Sequence, residues 1–267
     1  MSLRKYTPSL ITLTTVLSSS LLCNSLNAKE IVFAGIAGVN YANFDISTKQ
    51  FGGDEISLST YKAGLLAQHG NWTIKWTVEN AISTENVQFN EVMGNNEFDF
   101  SSSDVSIAYK VNDEISIYSG YLNTNFEFNN ETLFQNFGGS GTYHQNYDEL
   151  GLYLGMNYRM TFKSGALSFS IAYAYLDATF EDNMYKAQLP SLKIDGNTKG
   201  LSYGVSWQGN ISKKMKYSLG ISSRRYEFDS NYKSGIPEFP GLGVIDDTSF
   251  DSDWNIDSIS ANIIYIF

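Results

Sequence analysis

The chain is poor in the residues that many enzymes, metal sites and membrane helices depend on. It has one cysteine, Cys23. A chain cut after Ala28 has none, which excludes disulfides, thiol chemistry and cysteine metal sites. His69 and His144 are the only histidines, so imidazole acid-base chemistry has only these two to draw on. No stretch after residue 28 approaches the roughly 18 consecutive apolar residues of a spanning helix. Basic residues are outnumbered, 18 against 28 acidic, for a formal charge of −10. That balance argues against nucleic acid and anionic polymers as partners. G-x-S-x-G, H-E-x-x-H and glycine-rich phosphate motifs are absent. Proline is scarce as well, with 4 residues.

Glycine and aromatic residues are plentiful instead: 22 Gly, 18 Tyr and 17 Phe. With so little proline, this composition describes a β-rich protein. A mean hydropathy of −0.22 does not exclude a membrane protein, because a barrel hides half of each strand's residues from lipid. The chain starts with Met1-Ser2-Leu3-Arg4-Lys5, continues through an apolar, Ser/Thr-rich run from Leu10 to Leu22, and reaches Ser25-Leu26-Asn27-Ala28. These are the three regions of a secretory signal peptide covering residues 1–28. Leu22, preceding Cys23, is too large for lipoprotein processing. Removing Arg4 and Lys5 moves the formal charge to −12.

The clearest alternation lies between Glu149 and Tyr175. Leu150, Leu152, Leu154, Met156, Tyr158, Met160 and Phe162 take one face, and Glu149, Gly151, Tyr153, Gly155, Asn157, Arg159 and Thr161 take the other. Only a strand has this period of two. After the turn Lys163-Ser164-Gly165, the pattern resumes with Leu167, Phe169, Ile171, Tyr173 and Tyr175. The small residues Gly151, Gly155, Ser168, Ser170, Ala172 and Ala174 leave room on the polar face, for a solute or for side chains opposite.

Along the rest of the chain the same pattern predicts ten strands. Short turns fall at His69-Gly70-Asn71, Asn112-Asp113, Lys163-Ser164-Gly165 and Ser212-Lys213-Lys214. Long loops are expected at about residues 47–55, 85–102, 124–147, 179–197 and 229–252. The third contains Phe126, Phe128, Phe134, Phe137 and Gly138-Gly139-Ser140-Gly141; Pro190, Pro237 and Pro240 fall in others. Long and short connections alternate, so the turns share one end with both termini and the loops share the other. Residues 29–267 are expected to form one domain, an all-β transmembrane antiparallel up-and-down barrel of about ten strands, with eight or twelve as alternatives.

An even number of antiparallel strands, short turns on the terminal side, long loops opposite and a signal peptide together resemble the bacterial outer-membrane β-barrel class. The ending Ile263-Ile264-Tyr265-Ile266-Phe267 is similar to the C-terminal signature of that class. The resemblance implies residence in the outer membrane of a Gram-negative cell, with export through a cleaved signal peptide. It also implies contact with outer-membrane lipid and lipopolysaccharide, and handling by the barrel-assembly machinery. Aromatic girdles are expected at both interfaces: Trp72, Phe162, Trp207 and Phe267 near the turns, and Tyr41, Tyr121, Tyr147, Tyr175, Tyr203 and Tyr226 near the loops.

The candidate functional residues are the charges expected to face the lumen: Lys62, Lys75, Glu79, Lys110, Glu149, Arg159 and Arg224. Barrels of about eight strands are filled by side chains and open channels appear near sixteen, so these charges form either an ion-paired plug or a narrow solute path. No cofactor and no metal are expected. Asp246, Asp247, Asp251 and Asp253 do not have the spacing of an EF-hand loop and read as solvated charge. The paired Asp residues and Asp-x-His element of the ten-stranded omptin proteases find no match, and Ser140, His144 and Asp148 have no reason to align as a triad. The expectation is therefore a barrel without enzymatic activity, acting as a narrow porin-like pore or as a structural or surface-binding protein. The alternative is an outer-membrane hydrolase acting on lipid or peptide at the extracellular side.

Overall fold

A computed structural model describes residues 31–48, 52–88, 95–130, 143–184, 192–230 and 252–267. The expected signal segment with Cys23, the glycine run at 138–141, Phe134, Phe137, Pro190, Pro237, Pro240, Asp246, Asp247 and Asp251 lie outside these residues. The described chain is β-strand joined by tight connections: β1 Val32–Thr48, β2 Gly52–His69, β3 Trp72–Ala81, β4 Glu85–Gln88, β5 Asn95–Lys110, β6 Ile115–Asn130, β7 Tyr143–Phe162, β8 Gly165–Met184, β9 Leu192–Asn210, β10 Met215–Ser230 and β11 Ser252–Ile266. Apart from β3 and β4, which do not pair with each other, each strand pairs antiparallel with its sequence neighbours. β1 also pairs with β11, and β3 with β5, so the sheet closes on itself.

β3 and β4 lie one after the other along β5. Together they are a single stave interrupted at residues 82–84, and the barrel has ten staves. Within the apolar belt closure pairs every stave on both sides, as hydrocarbon demands; β4, beyond the belt, pairs with β5 alone. At the seam the Phe267 amide donates to the Phe33 carbonyl at 3.0 Å, and the Ile266 amide donates to the Lys214 carbonyl at 2.8 Å.

The short connections are held by local chemistry. Gly70 has a φ of 58°, which a side chain would strain. Asn112 Oδ1 accepts from the amides of Glu114 and Ile115 at 2.9 and 2.7 Å. Ser212 Oγ does the same for Lys214 and Met215 at 3.3 and 3.1 Å. Both are side-chain mimics of a backbone turn.

Four of the expected loops are much shorter than the sequence suggests. β1 and β2 approach to leave only residues 49–51 between them, β4 and β5 occupy most of 85–102, β6 continues through Phe126 and Phe128 to Asn130, and β8 and β9 take all but residues 185–191 of 179–197. The reason is a reversal of polarity along each stave. On the outer face of β1, Phe33, Val39 and Tyr41 are exposed apolar residues, followed by Asn43, Asp45 and Ser47. Its inner face runs the other way, from Asn40 to the buried Ala42, Phe44 and Ile46. β8 repeats this, with Tyr173 and Tyr175 followed by Asp177 outside while Leu176 and Ala178 are buried inside. A strand that exchanges its faces midway looks like a strand ending.

The register aligns these changeovers around the barrel, through pairs such as Tyr41 with Ile259, Ile221 with Ile259, and Leu152 with Tyr175. Below them an apolar belt encircles the wall, about nine residues tall on β1, which suits a bilayer. Tyr41, Tyr121, Tyr175 and Tyr203 are exposed at its upper margin, and Trp72, Phe162 and Phe267 at its lower. Tyr147 and Tyr226, expected in the upper girdle, are instead buried inside. Strands of 15 to 20 residues are longer than a bilayer needs, so their loop-side halves rise beyond it.

Glycine lets neighbouring backbones and rings close in on the inner wall. A Cβ on Gly200 would lie 2.0 Å from the Arg225 carbonyl oxygen and 2.8 Å from Tyr226 Cα. Gly200→Ala is expected to lower stability by about 1–3 kcal/mol, measurable as a shift of the denaturant midpoint for the refolded barrel.

Candidate functional site

The lumen is built in tiers. Midway along it, on facing rungs of β2 and β3, Lys62 and Glu79 are buried, with Nζ and Oε2 3.5 Å apart. Glu79 also accepts from Asn40 Nδ2 at 2.9 Å and from the Thr60 hydroxyl. Lys75 of β3 and Asp104 of β5 form a second buried pair at 3.1 Å. The Tyr153 hydroxyl reaches from β7 to donate to Asp104. Buried charges survive only when paired and hydrogen-bonded, and both carboxylates meet that condition.

The space on the polar wall of β7 is taken by tyrosines. A Cβ on Gly155 would meet the Tyr118 ring at 2.4 Å, and one on Gly120 would meet the Tyr153 hydroxyl at 2.2 Å. The two rings meet edge to face, 6.1 Å between centroids, and Tyr118 donates to the Ile171 carbonyl at 3.1 Å.

Glu149 lies one tier nearer the loops, buried, and accepts from the Tyr147 hydroxyl at 3.2 Å. That hydroxyl lies 2.6 Å from Thr198 Oγ1. Arg224 stands on the inner face of β10, close enough to act electrostatically on Glu149 and Lys62. Lys110 and Arg159 lie at the turn-side end of the inner face. Lys110 pairs with Asp113 at 2.6 Å, and this lysine holds the exposed Asp113 carboxyl below its usual range. The seven charges therefore do not form one site: four are buried in the middle of the lumen, Arg224 adjoins them, and two stand at its mouth.

Beyond Glu149 the lumen is apolar. Phe126 of β6 meets Trp254 of β11 at 4.8 Å between ring centroids, and these staves face each other across the barrel. Phe126 also contacts Phe100 at 5.4 Å and Phe44 at 5.9 Å. Tyr147 stacks on Trp254 at 4.6 Å with 12° between the planes and meets Phe228 edge-on at 5.5 Å. The rings of β1, β5, β6, β7, β10 and β11 thus fill the cross-section. Sequence parity places Phe126 and Phe128 on the face of Thr124 and Leu122, the one signal that could have identified this tier.

His69 ends β2 beside the turn, and His144 sits on the outer face of β7, its Nδ1 2.6 Å from Asn129 Oδ1. Asp253 lies on the outer face of β11. Among the described residues no group of three or more His, Cys, Asp or Glu is placed to hold a metal. A groove of about 600 Å³ on the outer wall, lined by Val39, Tyr41, Val205, Leu219, Ile221 and Ile259, lies within the apolar belt.

No family model matches the chain, and no curated protein matches it in sequence. Among solved structures it is similar to the outer membrane protease OmpT from Escherichia coli, with a TM-score of 0.60 and 10% identity over 91% of this chain and 99% of that one. It also matches the translocator domain of the autotransporter NalP from Neisseria meningitidis (TM-score 0.48, 13% identity, 88% of each chain). The toluene transporter TodX from Pseudomonas putida is a further match (TM-score 0.38, 9% identity, 96% of this chain and 95% of that one). The expectation of a barrel without enzymatic activity is corrected here: an architecture shared with a protease does not exclude catalysis, and enzymatic status is left open by the fold. What the likeness does show is the class, a closed ten-stranded barrel of the bacterial outer-membrane type.

Proposed function

We propose that this chain is an outer-membrane barrel whose lumen is closed by its own side chains, and that it works as a structural and surface-binding protein rather than as a pore. One observation carries the reading: Phe126 and Trp254, on opposing staves, touch across the lumen. The paired charges beneath them act as a polar filling, and the stave extensions stand above the bilayer as a binding platform. Export through a cleaved signal and contact with outer-membrane lipid and lipopolysaccharide belong to the same reading.

Planar-bilayer recording of the refolded chain tests it. The wild type is expected to be silent, and the double variant Phe126→Ala/Trp254→Ala to show discrete conductance steps. Reproducible steps in the wild type that shift in Arg159→Gln would establish the narrow pore instead.

A second reading, a hydrolase acting on lipid or peptide at the loop side, has one observation in its favour. Asn129 Oδ1 is placed to accept from His144 Nδ1, which leaves Nε2 as a base. Loss of a detected ester or peptide hydrolysis in His144→Ala would support it, and unchanged hydrolysis would remove His144 from the mechanism.

A further inference from the structure

The carboxylates of this acidic chain are not spread evenly along the lumen. The inner-face carboxylates whose side chains are described, Glu79, Asp104 and Glu149, stand in the middle or loop-side tiers. The turn-side end of the inner face has Lys110 on β5, Arg159 on β7 and Lys216 on β10, and no inner-face carboxylate among the described residues. The register gathers these three at one level: Lys110 opposes Ser116, Ser116 opposes Asn157 two residues from Arg159, and Lys216 opposes Asn210 two residues from Gln208. The carboxylates nearby, Asp113 and Glu114, belong to the turn, with Asp113 on Lys110.

Polar groups without partners lie at the same level. Gln208 is 6% exposed and Ser116 4%. Gln208 Nε2 and Ser116 Oγ are buried with no hydrogen-bond partner. An amide N–H can only donate, and leaving it buried and unpaired is unfavourable. Donors without acceptors, beside three cations, are what an oxyanion requires.

The geometry points to a binding site for a phosphate-class anion at the turn-side mouth of the lumen, held by Arg159, Lys216 and Lys110 with Gln208 and Ser116 as neutral donors. A tetrahedral oxyanion offers several acceptors at once and suits donors converging from different staves. Free phosphate and the phosphate of an anionic lipid headgroup present the same group. The site lies below the aromatic tier and is independent of whether the lumen conducts.

The test uses the refolded full chain in neutral detergent, titrated with inorganic phosphate at constant ionic strength and followed by calorimetry. Saturable binding is expected, weakened at least about tenfold in Arg159→Gln and about threefold in Gln208→Leu, with Lys163→Gln on the exposed turn leaving it unchanged. Gln208→Leu alters no charge, so its effect separates a built site from a diffuse positive field. If Arg159→Gln does not fold, Lys216→Gln replaces it. Repeating the titration in phosphatidylcholine discs with and without phosphatidylglycerol identifies the source: competition by the anionic lipid assigns the headgroup, and no competition assigns the free anion. Absence of saturable phosphate binding, binding that the Arg159 and Gln208 variants leave unchanged, or an equal loss in Lys163→Gln would overturn the proposal.

Discussion

Replacing Lys75 by methionine is expected to lower the folding stability of the barrel by about 3–5 kcal/mol, the cost of breaking a buried ion pair from one side. Asp104 is completely buried and faces Lys75 at 3.1 Å. Without the ammonium, its charge keeps only the Tyr153 hydroxyl among the contacts described here, and one neutral donor does not offset desolvation. Removing both members is a different experiment. The double variant Lys75→Met/Asp104→Leu is expected to recover most of the loss, because packed apolar groups replace a buried pair at little cost. Denaturant unfolding of the four members of this cycle, refolded in the same lipid, measures the coupling directly. A single substitution costing under about 1 kcal/mol would show that water reaches Asp104, since that is the range of solvated pairs. The outer wall supplies the control: Arg225 and Asp257 pair at 3.1 Å with about half of each side chain exposed, and Arg225→Ala is expected to cost less than about 1 kcal/mol.

Phe126→Ala is expected to cost a similar amount, about 3–5 kcal/mol, for a different reason. Phe126 is almost fully buried and contacts five other rings, Phe44, Phe98, Phe100, Tyr147 and Trp254. Those rings are anchored on four staves fixed by hydrogen-bond ladders, so they cannot collapse into the vacated volume. The loss is then the transfer term together with the cavity term. Leu154→Ala makes a useful contrast, since Leu154 is 65% exposed on the belt and its truncation opens no cavity. If the two substitutions shifted the unfolding midpoint equally, the aromatic tier would not be the packed core described above.

Much of the architecture is legible in the sequence. The run Leu150, Leu152, Leu154 and Met156 fixes β7 and its lipid face without any neighbour, because a period of two admits no other geometry. Asn112 and Ser212 mark turns through chemistry that acts within three residues. What misled was the upper half of each stave. Asn43, Asp45 and Ser47 read as a loop because outward polarity usually marks solvent, and Phe126 and Phe128 read as loop aromatics. They continue as strand because the wall outside the bilayer is wetted on its outer face and packed on its inner one.

The candidate charges were legible only as a face. Parity placed Lys62, Lys75, Glu79 and Glu149 on the polar side of their strands, and it gave no means of pairing them. Lys75 and Asp104 are 29 positions apart, joined by the pairing of β3 with β5. Tyr153 reaches Asp104 from β7, two staves from β5.

The sequence by itself determined the class, the turns, the belt and which side chains turn inward along the belt, since each follows from alternation and local chemistry along one strand. Only the tertiary structure decided what fills the lumen. The meeting of Phe126 with Trp254 depends on the curvature and closure of the whole sheet. Closure brings residues more than a hundred positions apart into contact, and no pattern along a single strand encodes the stave that will face it.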